Sequence, residues 1–163
     1  MTLRDQTCCF TGHRKLLEDE STILERTNIY LSRLLQENVR FFWLGGALGF
    51  DTLMAMYLLD CRRSHPQIKI YLALPFEGYR SRWSASQQAR AAQIDALVDG
   101  IIICSHSPSK WAFLRRNRYM VDQSRYCISY CSKSTGGTAY TIRYAKKDGL
   151  TVWNTGHLDL SAL

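Results

Sequence analysis

The stretch FFWLGGALGFD, residues 41–51, is a short apolar run that ends in a glycine turn and leads into a helical pattern. The same succession occurs in CCFTGHR at residues 8–14, and in CISY at 127–130 followed by TGGT at 135–138. In a parallel sheet the carboxyl ends of all strands lie on one rim, so the three turns can converge there. Glycine lets backbone N–H groups approach a ligand closely, and a helix N-terminus adds partial positive charge. The pattern predicts a pocket for a phosphorylated small molecule.

Strands and helices alternate along the whole chain. Short apolar runs predict six strands, at 7–10, 41–44, 68–74, 101–104, 126–130 and 150–153. Helical periodicity predicts five helices, at 22–38, 50–63, 84–98, 111–123 and 138–147. A capping box from Thr22 to Glu25 marks the predicted start of the first helix, and Pro75 marks the end of the third strand. This alternation indicates an α/β fold: a single Rossmann-like three-layer domain over residues 1–163, with a mostly parallel sheet between two helical layers.

Composition places the chain among globular proteins. It has 163 residues, of which 46% are hydrophobic, enough to form a core. The longest apolar stretch, Leu53 to Leu59, is far shorter than the roughly 18 residues that span a membrane. The first residues contain no apolar leader segment. We therefore expect a cytoplasmic protein without a membrane partner.

The cysteine pattern argues against disulfides and metal sites. Four of the six cysteines, Cys8, Cys9, Cys104 and Cys127, lie in predicted strands, where a free thiol behaves as a small core hydrophobe. No CxxC pair and no Cys/His cluster with zinc spacing occurs. We predict reduced thiols, no metal and no cofactor.

Basic residues outnumber acidic ones, which favours an anionic partner. The 21 basic and 14 acidic residues give a net charge of +7, suited to a nucleotide or a nucleic acid. Arg115, Arg116 and Arg118 form a local cluster that serves either as a solvated helix face or as part of a pocket. In the segment 75–83, Phe76, Tyr79 and Trp83 could stack a base and the arginines could bind phosphate, or the segment could be an aromatic-anchored loop.

The turn at residues 45–51 reads GGxxGxD, which is neither the dinucleotide fingerprint nor a P-loop. Gly45 and Gly46 permit a turn with unusual backbone angles, and Gly49 allows close packing of the helix. Asp51 falls in the first helical turn. It either interacts favourably with the helix dipole or accepts hydrogen bonds from ribose hydroxyls.

The turn after the first strand offers polar groups of its own. Thr11 supplies a hydroxyl, Gly12 an open backbone N–H, and Arg14 a guanidinium able to bind phosphate in a bidentate way. His13 is either a hydrogen-bonded spacer or a catalytic residue. Before the last helix, Gly136 and Gly137 precede Thr138, a residue well suited to cap that helix.

Taken in order, these motifs resemble the YpsA-like branch of the SLOG superfamily, which joins the DprA/Smf DNA-processing proteins to the LOG phosphoribohydrolases. The residues that carry the resemblance are Thr-Gly-His-Arg, Gly-Gly-x-x-Gly-x-Asp, Pro-Phe with a later Trp, Arg-Asn-x-Tyr-Met-Val-Asp and Gly-Gly-Thr, from about Cys8 to Trp153. The resemblance implies a Rossmann-like fold that binds nucleotides or their derivatives. By position it implies a pocket lined by Gly12, Gly45, Gly46, Asp51, Arg116, Asn117, Gly136, Gly137 and Thr138.

Two departures from the superfamily pattern bear on function. LOG enzymes place a catalytic glutamate after the late glycine-threonine turn, whereas Thr138–Ile142 contains no carboxylate. Ser124-Arg125 stands where the superfamily often has Ser-Asp. We therefore expect binding of a nucleotide or nucleotide-derived small molecule, with a sensor as one form of that role. The alternatives are a phosphoribohydrolase that uses Asp51 or Glu77, and a DprA-like binder of single-stranded nucleic acid. A homo-oligomer is left open.

Overall fold

A computed structural model describes every residue from Met1 to Leu163. The six strands are β1 (Thr7–Gly12), β2 (Phe41–Leu44), β3 (Lys69–Phe76), β4 (Gly100–Ser105), β5 (Tyr126–Tyr130) and β6 (Thr151–Asn154). The five α-helices are α1 (Glu20–Gln36), α2 (Phe50–Cys61), α3 (Ala85–Leu97), α4 (Lys110–Asp122) and α5 (Gly137–Lys147). Short 3₁₀ turns occur at Arg4–Gln6 and Leu160–Ala162. No helix has both the length and the apolar character needed to cross a membrane.

All six strands form one parallel sheet in the order β4-β3-β2-β1-β5-β6. The chain moves outward from β1 to β4 and then returns to the other side of β1 to form β5. The strand order therefore reverses between β1 and β5, where Cys9 pairs with Cys127. In open parallel sheets, ligands bind beyond the carboxyl ends of the strands at such a reversal.

The helices cover both faces of the sheet, which confirms the predicted α/β fold with three layers. On one face, α1, α2 and α3 pack on a core that includes Phe10, Phe42 and Leu58. On the other face, α4 and α5 pack on a smaller core that includes Cys9 and Met120. Neighbouring residues of β1 enter different cores because side chains alternate along a strand.

Two residue patterns that were predicted to mark boundaries do not mark them. The helix α1 begins at Glu20, and its N-cap Asp19 makes no side-chain capping bond, so the predicted Thr22–Glu25 capping box does not start the helix. The strand β3 continues through Pro75 to Phe76. This is tolerated because β2 has already ended opposite Leu72, and no register partner in β4 faces Pro75.

Thr138 is also not the N-cap that the sequence predicted. The cap of α5 is Gly136, with φ +95°, a conformation that favours glycine. Thr138 lies in the first turn of the helix, and its side chain is buried. The hydroxyl of Thr138 thus lies beside the helix N-terminus.

All six cysteines are free. Cys8, Cys9, Cys127 and Cys131 are buried, whereas Cys61 and Cys104 are half-buried. Burial raises the pKa of the Cys8 thiol well above its ordinary value, which keeps it neutral and unreactive.

Candidate functional site

A polar cavity of about 280 Å³ lies at the carboxyl end of β1, beside the strand-order reversal. The β1–α1 and β2–α2 turns form part of its wall, and α4 and the N-terminus of α5 form the rest. Eight of the twelve residues predicted for the site line it: Thr11, Gly12, Arg14, Asp51, Arg116, Asn117, Gly137 and Thr138. The other four, Gly45, Gly46, Gly49 and Gly136, do not.

The N-terminus of α5 presents unused donors to the cavity. The first backbone N–H to bond within the helix is that of Tyr140, which donates to the carbonyl of Gly136 at 3.0 Å. The N–H groups of Gly137 and Thr138 make no hydrogen bond, and neither does the Thr138 hydroxyl. Free N–H groups at the positive end of a helix dipole favour an anion.

Arg14 faces the cavity without a hydrogen-bonding or charged partner. Its side chain makes no hydrogen bond and no ion pair, and its guanidinium carbon lies 5.4 Å from the centre of the Phe113 ring. The hydroxyl of Thr11, also in the cavity wall, is similarly unused. A guanidinium with all its donors free can bind phosphate in a bidentate way.

Arg116 is held in place by the protein. Only 5% of the residue is exposed, and it donates to the carbonyls of Gly45 and Ala73, the latter at 3.4 Å. Its Nε also donates to Oδ1 of Asn117 at 2.7 Å, which leaves Nη2 without a hydrogen bond. The three arginines of the cluster therefore differ in their surroundings. Arg115 and Arg118 are exposed, whereas Arg116 is buried and holds the β2–α2 turn through the Gly45 carbonyl.

Asp51 is the carboxylate of the cavity wall. Its Oδ2 accepts the backbone N–H of Ala47 at 3.2 Å, while its buried Oδ1 has no partner. Burial raises the pKa of Asp51, although Arg116 and the Ala47 N–H oppose that rise. Glu77, the other predicted carboxylate, is exposed and does not line the cavity. Asp51 therefore stabilises the β2–α2 turn from the first turn of α2.

The glycines of this turn permit close contact between parts of the protein. Gly46 has φ +65°, and a Cβ there would lie 2.6 Å from both Arg80 Nη2 and Leu74 Cδ2. Its carbonyl accepts hydrogen bonds from the Tyr79 hydroxyl and from Arg80, at 3.2 Å for Nη2. At Gly49, with φ +75°, a Cβ would lie 2.5 Å from the carbonyl carbon of Arg14.

The segment after β3 also differs from its sequence interpretation. Arg80 is paired with Asp95 through two bonds of 2.9 and 2.7 Å, so its guanidinium is already bound within the protein. Phe76, Tyr79 and Trp83 do not line the cavity. Their rings pack edge to face, and Phe76 contacts Phe113 in the same way at 5.6 Å. This aromatic cluster supports the ring of Phe113, which does reach the cavity.

Five residues of the cavity wall were absent from the predicted site: Phe10, His13, Ala47, Phe113 and Met120. The Nε2 of His13 accepts the backbone N–H of Ser132 at 2.9 Å, so the neutral ring carries its proton on Nδ1. Burial and the nearby Lys133 lower the pKa of His13, which favours this neutral form. This geometry agrees with the first of the two roles that the sequence allowed for His13, that of a hydrogen-bonded spacer.

The fold and the cavity define a class of protein: a Rossmann-like α/β domain with a donor-rich site at the strand-order reversal. A family model described as the YspA SLOG family matches residues 17–153. The chain belongs to this family, which confirms the YpsA-like resemblance predicted from the motifs.

Bacterial proteins are among the relatives of the chain. The SPbeta prophage-derived protein YoqJ of Bacillus subtilis is 29% identical over 126 residues, which cover 70% of this chain and 74% of YoqJ. A UPF0398 protein of Staphylococcus epidermidis is 25% identical over 100 residues, covering 60% of this chain and 53% of that protein. The chain thus aligns with only about half of the staphylococcal relative.

Two solved structures share the fold. DNA processing protein A (DprA) of Streptococcus pneumoniae has a TM-score of 0.67 at 19% identity, over 93% of this chain and 50% of DprA. The DprA of Helicobacter pylori, studied for its single-stranded DNA binding mode, has a TM-score of 0.63 at 20% identity, over 91% of this chain and 64% of its own. At such identities the likeness establishes the fold alone.

Proposed function

We propose that this protein binds a nucleotide or a nucleotide-derived phosphorylated small molecule in the polar cavity at the carboxyl end of β1, which we call the rim cavity. The observation that carries the proposal is the set of unused donors around it. The guanidinium of Arg14, the hydroxyls of Thr11 and Thr138, and the N–H groups at the start of α5 all lack partners. A ligand rich in acceptors and negative charge would satisfy all of these groups together.

The cavity suggests how such a ligand is oriented. A phosphate group would lie at the N-terminus of α5, within reach of Thr138 and Arg14. The ring of Phe113 would provide the apolar surface for the nucleoside. At about 280 Å³ the cavity is close to the lower limit of typical ligand sites, about 300 Å³, so a larger nucleotide would extend into solvent.

Binding fits this site better than hydrolysis of an N-glycosidic bond. That reaction passes through an oxocarbenium-like state, which a nearby carboxylate stabilises. Asp51 is the carboxylate in the wall, but its Oδ2 holds the Ala47 N–H and its Oδ1 is buried away from solvent. Binding without turnover is the behaviour expected of a sensor.

A thermal-shift screen tests the proposal, followed by calorimetry with the best ligand. The screen contains AMP, ATP, ADP-ribose, NAD and inorganic phosphate, because a ligand that binds only the folded state raises the Tm. Arg14→Ala should weaken binding by about 10- to 150-fold, the effect of losing a charge-assisted hydrogen bond. Lys15→Ala, which removes an exposed neighbouring charge, should leave the affinity unchanged. Equal affinities for the two variants, or a screen without any Tm increase, would refute the proposal.

A further inference from the structure

The two helical layers differ sharply in charge. In the layer formed by α4 and α5 there are seven basic residues and one acidic residue, a net charge of +6. In the layer formed by α1, α2 and α3 there are three basic and five acidic residues, a net charge of −2. The rest of the chain's net charge of +7 lies outside these helices, so the α4–α5 layer is the basic one of the two.

That basic layer contains a groove of about 560 Å³, lined by the outer side of α4 and by Tyr144 of α5. Trp111, at one end of α4, is 64% exposed, and the Lys110 ammonium lies 5.6 Å from the centre of its ring. Arg115 is an exposed residue of the same groove. Exposure of so large an aromatic side chain beside cations is typical of an interaction surface.

A cation of the groove, Arg118, lies against aromatic rings. The guanidinium carbon of Arg118 lies 5.6 Å from the ring centre of Tyr140 and 5.2 Å from that of Tyr144. Its Nε also donates to the Tyr140 hydroxyl at 2.7 Å. The acidic residue of the groove, Asp122, accepts a hydrogen bond from the Tyr144 hydroxyl at 2.8 Å. The groove therefore presents ordered positive charge next to aromatic surfaces.

We propose that this groove binds single-stranded nucleic acid, at a site separate from the rim cavity. Phosphates would pair with the exposed arginines, and unpaired bases would stack on Trp111. A duplex hides its base faces, so it could use only the charges. The groove and the cavity share α4 but no lining residue, because they lie on different sides of that helix.

Fluorescence anisotropy tests the proposal with a labelled single strand of about 20 nucleotides, longer than typical single-strand binding sites. Trp111→Ala should weaken binding by about 5- to 150-fold, the loss of one base stack. Its matched control is Ile29→Ala, an exposed apolar residue of α1, which should leave binding unchanged. Arg115→Ala should lower the slope of log Kd against log salt by about 0.7, one phosphate contact. Its control is Arg90→Ala on α3, an exposed arginine of the other layer.

Two further comparisons separate this site from the other candidates. Arg14→Ala should keep the oligonucleotide affinity, and Trp111→Ala should keep the affinity for the best nucleotide, so either site can fail without the other. A duplex of the same length should bind more weakly than the single strand. Equal binding of the duplex, preferential binding to phosphatidylglycerol vesicles, or equal affinities for Trp111→Ala and Ile29→Ala would overturn the proposal.

Discussion

Removal of Arg116 should destabilise the fold as well as alter the cavity. The residue is 5% exposed, and its guanidinium donates to the carbonyls of Gly45 and Ala73 and to Oδ1 of Asn117. Arg116→Ala leaves these acceptors without their donor inside the protein. A buried acceptor that loses its partner costs about 1–3 kcal/mol. In Arg116→Ala the Gly45 carbonyl loses its side-chain donor and Asp51 loses its nearest compensating charge. We therefore expect the free energy of unfolding to fall by about 3 kcal/mol.

Urea denaturation followed by circular dichroism measures this loss, with Arg115→Ala as the matched control. Arg115 is exposed, so its removal should change the free energy of unfolding by no more than about 0.5 kcal/mol. At about 2–4 °C per kcal/mol for a chain of this size, Arg116→Ala should lower the Tm by roughly 6–12 °C. Equal denaturation midpoints for the two variants would show that the buried hydrogen bonds of Arg116 contribute nothing net to stability.

Two further predictions concern the turns around the cavity. Gly49→Ala should destabilise the protein far more than Gly149→Ala in thermal melts. Both residues have positive φ, but a Cβ on Gly49 would lie 2.5 Å from the Arg14 carbonyl carbon, whereas one on Gly149 meets nothing within 4 Å; similar melting temperatures would contradict the close packing. The pKa of His13 is lower in the folded protein than in the unfolded chain, so the unfolded chain binds a proton more readily. The free energy of unfolding should therefore fall as the pH drops below about 6.5. His13→Asn should reduce that fall in urea titrations, and ¹⁵N NMR of the wild type should show the Nδ1–H tautomer; an Nε2–H tautomer would refute the assignment.

The strands were well predicted because a parallel sheet buries both faces. β2 and β5 fall at the predicted residues, 41–44 and 126–130. Each is a continuous run dominated by apolar residues, which is the pattern that burial on two sides requires. The helix start at Glu20 could not be predicted in the same way, because the apparent capping box Thr22–Glu25 is a local pattern that the surrounding chain overrides. A capping box does occur at Ser84 of α3, where its Gln87 partner was not recognised in the sequence.

The role of Gly46 was not predictable from its own neighbourhood. Its carbonyl is bound by Tyr79 and Arg80, more than thirty residues further along the chain. Arg80 is in turn paired with Asp95 on α3. Only the folded chain brings these three segments together, so a glycine pair that suggested a phosphate-binding loop lies instead against another part of the protein. Whether it also contributes to ligand binding stays a prediction.

The residue spacing along α4 shows which of its side chains belong to the cavity. Ala112, Arg116 and Met120 are spaced by four residues and are all buried. This spacing was present in the sequence and could have separated Arg116 from its two exposed neighbours, Arg115 and Arg118. A charged residue in line with two apolar ones is expected to bury its charge and to use the protein's own acceptors, as Arg116 does. Its neighbours point away from the sheet. One helix can therefore supply a fixed wall to the rim cavity and exposed cations to the groove behind it.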